Sequence, residues 1–586
     1  MGVLAEELKP AGGAALDQVL IASGVALVLT VVLLALGYGH RTGRLRVLDT
    51  LAALGAKGIG RGLPGWASLP SVVAMFSLIT ALLGMYWDIS LHITHGRDEG
   101  PLANIAHYPI LIGLFGIFAA GVLALTMPVG EKPGPGPVRI TRTWYVPAGG
   151  TLVAGAGFYA LLGFPLDDVW HRIFGQDVTL WGPTHLMLIG GAGLSLVGML
   201  VLEREGRAAA GDTSPSPALS YLRRAMTCGG LLIGLSVFQA EFDFGVPQFR
   251  LVNQPFLIAL AAGCALVAAR LWVGRGGAVL AAVFYMLVRG GVSLVVGPVI
   301  GELNAAVPMY LAEAVLVELV ALALIRRPLA FGVVSGFVVG TAGFAAEYAW
   351  TQVAFRLPWT PDILVEGVLM ALAGGLSGAV LGVLLAEGLA GRLPRPAVSR
   401  GLFAASLVLI GAAVANCLVF TVPKDLQVSA ALSPDGNATF TLSRPLDDPA
   451  WIQVTAWQGG GLHVDRLERT GPATYRTTEP MPLDGTWKTL VRIHDGRVLA
   501  AIPVYLPEDP AIGAKALPAE PRFTRDVQGE QPILQRELKQ DVPGWMWAAA
   551  SLVVLLCTLI LVLALGWGVS RISGALGSRA AVRSGA

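Results

Sequence analysis

"LDDVWHRIFGQDVTLWGPTH", residues 166–185, closes one apolar run and leads straight into another. Upstream, "YWDISLHITHGRDEG", residues 86–100, closes an earlier run in the same frame. Both stretches read D-x3-H-x3-G-x-D: Asp88, His92, Gly96 and Asp98 in the first, Asp167, His171, Gly175 and Asp177 in the second. Each then enters a new apolar segment that carries a histidine near its start, His107 in "NIAHYP" and His185 in "WGPTHLM". Two apolar segments joined by a short polar loop, twice over, predict a duplicated helical hairpin, with both copies running in the same direction.

The rest of the chain fits a membrane setting. It has 586 residues, of which 54% are hydrophobic and 14% charged, and its mean hydropathy is +0.66. A soluble chain carries about 25% charged residues. Apolar runs of about 20 residues are the length that crosses a bilayer. Thirteen are expected, at 17–38, 69–93, 101–127, 144–167, 181–203, 225–244, 256–273, 277–299, 308–325, 329–355, 363–389, 400–421 and 544–570. The opening "MGVLAEELKPAGGAALD" is acidic, has no basic n-region and does not read as a cleavable signal.

Basic residues set the expected orientation. "HRTGRLR", "KPGPGPVRITR", "YLRR", "IRRP", "GRLPRPAVSR" and the tail "SRISGALGSRAAVR" fall on one side if the N-terminus is outside and the C-terminus cytoplasmic. The expected location is a multi-pass protein of the plasma membrane, with the lipid bilayer as its first partner. The formal charge of +2 and the lack of any basic tract exclude nucleic acid. Cys228, Cys264, Cys417 and Cys557 all lie in apolar runs, form no CxxC pair and read as small packing residues.

One segment breaks the apolar pattern. Residues 422–510 contain alternating stretches such as "LQVSAAL", "NATFTLS" and "WIQVTAW", separated by "SPDGN", "PLDDPA" and "PLDGT". That predicts an extracytoplasmic β-sandwich of immunoglobulin-like or cupredoxin-like form. Residues 511–543 are expected as a polar tether and 544–586 as a last transmembrane helix with a basic tail. The fold class is thus an all-α polytopic membrane protein with a small β-domain.

The repeated frame carries the chemistry. Asp at i and His at i+4 project from one helix face, and the following helix returns a second histidine. Five of the chain's eight histidines lie in these two loops. Asp88, His92 and His107, and likewise Asp167, His171 and His185, are expected as metal ligands. A carboxylate and two imidazoles suit Cu(II), Zn or Fe(II). Asp98 and Asp177 are candidates for a fourth ligand or for orienting an imidazole. His95, without a counterpart in the second copy, is the weakest candidate. The bland alternative is a set of helix caps, which leaves the matched histidines on both helices unexplained. Metal binding by the β-domain, which offers only His463 and His494, is not expected.

The pattern resembles the C subunit of the copper membrane monooxygenases, the particulate methane and ammonia monooxygenases, over about 20 residues in each copy. The second copy, "DDVWHRIFGQDVTLWGPTH", is the tighter match. The resemblance implies a copper site at Asp167, His171 and His185, and at Asp88, His92 and His107 in the first copy. It also implies an oxidoreductase that works with other membrane subunits or a quinol-type redox partner. A metal transporter or metal-handling protein and a non-catalytic scaffold braced by metal remain the alternatives.

Later hairpins carry acids without histidines. Glu241 and Asp243 in "FQAEFDFG" are expected to join a shared site, to pass protons or simply to face water. Glu302 and Glu347 fall in similar places. Deeper charges need partners: Arg289 is expected to pair with Glu313, and Glu366 has no evident partner.

Overall fold

The computed structural model describes residues 16–584, apart from 99, 131, 177, 178, 213, 447, 448 and 540. Twelve described helices are long and apolar enough to cross a membrane. Together with one shorter helix they are α1 Leu16–Arg41, α2 Gly65–His95, α3 His107–Thr126, α4 Ala148–Phe174, α5 Pro183–Ala209, α6 Pro217–Phe244, α7 Asn253–Trp272, α8 Gly277–Val299, α9 Leu311–Leu324, α10 Pro328–Ala354, α11 Pro361–Leu389, α12 Pro396–Leu418 and α13 Gly544–Arg579. Helices are the expected form because the bilayer core offers no water to satisfy backbone groups.

The exception is the expected ninth span. α9 has 14 residues and covers about 21 Å, short of the roughly 30 Å hydrocarbon core. The chain before it is not helical: Gly301 has φ 92°, residues 303–310 run without regular structure, and Tyr310 takes φ 52°. The exposed amides of this break find a side chain. Glu347 Oε1 accepts from Met309 N at 2.9 Å and Tyr310 N at 2.7 Å. Glu347 is thus a cap for unwound backbone inside the bundle.

Two expected charge pairings change. Arg289 donates to Asp243 Oδ2 at 2.7 Å, not to Glu313, and both side chains are fully buried. Tyr86 adds a bond to the same oxygen at 3.2 Å, and the guanidinium lies 3.7 Å from the Tyr86 ring centroid. Asp243 and Arg289 lie on different helices 46 residues apart, so their pairing depends on tertiary packing that sequence spacing does not reveal. Glu366, expected to be unpaired, is held by Arg250 and by Asn416 Nδ2 at 2.9 Å.

The C-terminal strands form two five-stranded antiparallel sheets. They are β1 Gln427–Leu432, β2 Ala438–Leu442, β3 Trp451–Trp457, β4 Leu462–Arg466, β5 Glu468–Arg469, β6 Thr474–Arg476, β7 Lys488–Asp495, β8 Val498–Tyr505, β9 Arg522–Asp526 and β10 Gln528–Gly529. One sheet has the order β10-β8-β7-β3-β4, the other β9-β1-β2-β6-β5. Val428, Phe440, Val454, Val491, Ile493 and Ile502 belong to the core between them. Residues 511–543, expected as a tether, supply an edge strand to each sheet (β9 and β10) and a short helix, Gln531–Leu534. Alternation was invisible there because the two added strands, of five and two residues, are short.

β3 is buried at every position and β7 at all but its last, so both faces of this sheet are covered. The second face is polar. Arg492 pairs with Glu530 at 2.9 Å and also reaches the Pro247 carbonyl, His494 lies 2.9 Å from Glu530, and Lys488 pairs with Glu537. The segment 530–537 is therefore clamped between the sheet and the helical bundle.

Candidate metal centre

The two repeats end in the same local structure. α2 stops at Gly96, φ 87°, whose amide bonds to His92 O at 3.2 Å. α4 stops at Gly175, φ 86°, whose amide bonds to His171 O at 2.9 Å. A positive φ suits glycine, which lets each helix end abruptly one turn after its histidine. The returning histidines match too. His107 Nδ1 lies 2.9 Å from the carbonyl of Pro101, and His185 Nδ1 lies 2.7 Å from that of Thr179, six residues back in both cases.

In the first repeat, ligand atoms of Asp88, His92, Asp98 and His107 all lie within 4.8 Å of one another. His107 Nε2 is 3.1 Å from Asp88 Oδ1 and 3.4 Å from Asp98 Oδ2. His92 Nε2 is 3.5 Å from each of the same two oxygens. His92 Nδ1 sits 3.0 Å from the Gly96 carbonyl. Both Nδ1 atoms therefore carry the proton and donate to backbone carbonyls, which leaves the Nε2 lone pairs aimed at two carboxylates. With neutral imidazoles this arrangement turns four ligand atoms toward one point, a donor set that a metal cation fits.

The separations say which cation fits. A direct hydrogen bond to an imidazole would measure about 2.7–3.0 Å. Nitrogen and oxygen ligands at about 2.0–2.2 Å around a tetrahedral ion stand roughly 3.3–3.6 Å apart. Three of the four Nε2–oxygen distances fall in that second range.

The second repeat gathers Asp167, His171 and His185 in the same way. His185 Nε2 is 3.4 Å and His171 Nε2 3.8 Å from Asp167 Oδ1. Thr184 Oγ1 donates to that oxygen at 2.6 Å. Asp177, the sequence counterpart of Asp98, lies outside the described residues.

The remaining candidates divide. Asp98 joins the first cluster itself. His95 does not: it is more than half exposed, and its Nε2 lies 3.8 Å from Glu302. Glu241 is in neither cluster. Its Oε1 accepts from Thr179 Oγ1 and Leu180 N, both at 2.8 Å, and Oε2 from Gln248 N at 3.2 Å. It thereby fixes the loop whose Thr179 carbonyl holds His185. Asp243 is sealed with Arg289 and takes no part.

Two residues went unnoticed in the sequence. Asn104 Nδ2 donates to Asp88 Oδ1 at 2.6 Å and to both Asp98 oxygens at 3.2 and 3.0 Å, and its own oxygen accepts from Ala106 N at 2.8 Å. Thr184 serves Asp167. Their positions before the returning histidine, three residues in one copy and one in the other, hide the equivalence.

The β-domain closes over both helix ends. Gln458, at φ 62°, gives its amide to Ile93 O at 3.0 Å, and Gly460 gives its amide to Thr94 O at 3.0 Å. At the second repeat Leu538 bridges Gly175, and Lys539 N donates to Phe174 O at 2.8 Å. A Cβ at Gly175 would lie 2.4 Å from Glu537 O, so glycine is required there for the approach as well as for its φ.

Both clusters line one cavity of about 320 Å³ that runs among α2, α5, α6 and α8. Trp457, Gln458 and Leu534 from the β-domain side lie across its end. Below the clusters the lining is apolar, with Met75, Leu78, Leu82, Leu196 and Met199 among it. The fold and these groups define a multi-pass helical protein with two Asp/His clusters that could hold metal ions. No protein-family model, curated protein or solved structure matches the chain.

Proposed function

We propose that the chain is a membrane metalloenzyme that binds two first-row metal ions, one at Asp88, His92, Asp98 and His107 and one at Asp167, His171 and His185. The observation that carries this is the spacing of ligand atoms: imidazole Nε2 atoms and carboxylate oxygens face one another at ligand-to-ligand distances, longer than a direct hydrogen bond. Copper is the first candidate, in keeping with the resemblance to the copper membrane monooxygenases; zinc and iron(II) suit the same donors. A bound ion would supply Lewis acidity or redox chemistry at positions left open by the protein. The chain's own residues do the rest. Pro101, Gly96 and Thr179 carbonyls hold the imidazole tautomers, Asn104 and Thr184 fix the carboxylates, and Glu241 fixes the Thr179 loop. Trp457 and Gln458 border the cavity on the β-domain side.

An oxidoreductase fits better than a metal transporter. A transporter needs ligands along its path, whereas the cavity lining below the clusters is apolar down to Glu203. A brace fits less well too, because the clusters border a cavity instead of filling packed core. On this reading electrons come from a quinol-type or protein redox partner in the membrane. The β-domain and both clusters lie on the extracytoplasmic side, as the basic loops indicate.

Elemental analysis of the purified protein, with oxygen consumption measured beside it, tests the proposal. About two equivalents of one first-row metal and quinol-dependent oxygen uptake are expected. Protein free of metal after purification without chelators, and unable to take it up, overturns it. Labelling of a cysteine placed in the β-domain by an impermeant thiol reagent in intact cells tests the orientation.

A further inference from the structure

The cavity below the clusters has a definite shape. On α5 its lining runs from His185 through Leu188, Ala192, Leu196 and Met199 to Glu203. That stretch is about 27 Å long at about 1.5 Å per residue, close to the roughly 30 Å hydrocarbon thickness. α2 lines it over a matching length, from Ser71 to Asp88 and beyond. A cavity of about 320 Å³ drawn out over such a length is a slot, long relative to its width.

The two ends differ. Among the described residues, the end under the β-domain offers the Asp/His clusters with Glu241, Gln176 and Gln248. The far end is closed by a satisfied ion pair: Arg223 Nε donates to Glu203 at 3.0 Å, and Nη1 donates to the carbonyls of Ile59 at 2.8 Å and Arg61 at 3.2 Å. The Asp/His clusters thus mark one end of the lining, and a buried ion pair marks the other. The slot passes close to Gly193 and Gly234, where α5 and α6 approach so tightly that a Cβ on Gly193 would lie 2.9 Å from Gly234 O. Small residues there hold the two helices together while the larger side chains border the slot.

We infer that this slot binds a membrane amphiphile with a single long hydrocarbon tail, its polar head at the Asp/His clusters and its tail running down to the Glu203–Arg223 floor. The inference rests on the proposed function and names its substrate class: the head would stand beside the metal ions, and the tail would provide the binding energy. An acyl chain and an isoprenoid chain share the needed chemistry. The length, the apolar walls and the one-ended polarity suit either.

The test uses the full chain, purified and stripped of lipid by detergent exchange. Native mass spectrometry follows retention of oleyl alcohol in one arm and of a farnesyl-tailed quinol in the other, and organic extracts of the protein before stripping identify what it carries from cells. Ala192→Phe on α5 and Val288→Phe on α8 fill the slot from opposite walls. Leu287→Phe, on a position 70% exposed to the lipid side, is the control. Binding of one or both probes, weakened by about tenfold or more in both filled variants and unchanged in the control, is expected. Binding in only one arm supports the inference and identifies the tail. Failure of both probes to bind, or equal binding by wild type and filled variants that elute as folded protein, overturns it. Metal content read on the same samples separates the two ideas. Metal present with no amphiphile overturns the slot alone, and amphiphile bound by a chain that takes no metal overturns the metalloenzyme reading alone.

Discussion

His107 Nε2 stands 3.1 Å from Asp88 Oδ1 while its Nδ1 is tied to the Pro101 carbonyl, so one loop residue decides which nitrogen of the imidazole meets the carboxylate. That arrangement makes the metal content of the two repeats separately testable. His107→Ala or His92→Ala should remove the ion of the first cluster and leave the second, and His171→Ala or His185→Ala should do the reverse. Metal stoichiometry by elemental analysis, with a circular-dichroism check of folding, measures it. Full occupancy in a folded His92→Ala/His171→Ala variant would mean that these histidines are caps.

Asn104→Ala keeps every ligand and removes only the amide that joins Asp88 to Asp98. Loss of a group that orients metal ligands costs about 10–100-fold in metal affinity. The expected result is a first site that still fills at high metal concentration but empties in a competition with chelator, while Thr184→Val has the matching effect on the second site. Equal chelator resistance in wild type and Asn104→Ala would contradict this.

How much of this was legible in the sequence follows from what each interaction depends on. The pairs Asp88–His92 and Asp167–His171 are four residues apart on one helix, and helical geometry alone places them together. His107 and His185 were reachable because a short loop returns the next helix. Asn104 and Thr184 were not, since their roles depend on the path of the loop and not on spacing. Arg289 meets Asp243 across two helices 46 residues apart, a contact set by tertiary packing, and nothing in "GELNAAVPMY" announces a left-handed Tyr310. Strands β9 and β10 were hidden because each completes a sheet whose other strands lie many residues away, so their burial comes from tertiary pairing and not from local alternation.

The buried pair gives a stability prediction. Asp243→Ala leaves the Arg289 guanidinium in the bundle without its carboxylate, beside the Tyr86 ring and Tyr285, and removing one partner of a buried pair costs about 3–5 kcal/mol. Replacing both with Arg289→Met and Asp243→Leu should recover most of the loss, whereas Glu313→Gln should leave the pair intact. Thermal unfolding in detergent distinguishes these. Equal destabilisation by Glu313→Gln and Asp243→Ala would restore Glu313 as the partner.

Acid should loosen the β-domain clamp. Burial would raise the Glu530 carboxyl, but the Arg492 guanidinium and the His494 imidazole outweigh it and hold the group down at about 2, against an ordinary 4.5. Burial holds the His494 imidazole below its ordinary 6.5. Both groups bind protons more readily when unfolded, so each stabilises the clamp above its ordinary value and loses that contribution as pH falls. Stability should decline below about pH 6.5 through His494 and further from about pH 4.5 toward 2 through Glu530. Hydrogen exchange of β7 and of residues 530–537 across this range measures it, and Glu530→Gln should flatten the lower limb.

Gly175→Ala places a Cβ against the backbone of Glu537 and Lys539 and forces alanine into a positive-φ conformation (φ 86°, ψ 169°) that costs about 1–3 kcal/mol by itself. Residues 535–539 should then detach, and limited proteolysis should cut there in the variant and not in wild type. An unchanged cleavage pattern would show that the approach is looser than described.

The bridge between Gly175 and Leu538 also orders events in time. A ribosome finishes α4 long before it reaches residue 538, so during synthesis the second cluster stands uncovered at the membrane surface. Closure waits for the C-terminal segment to be made and the sandwich to fold. On the proposed metal-binding reading, the nascent hairpins are open to ion delivery until that segment packs against Gly175.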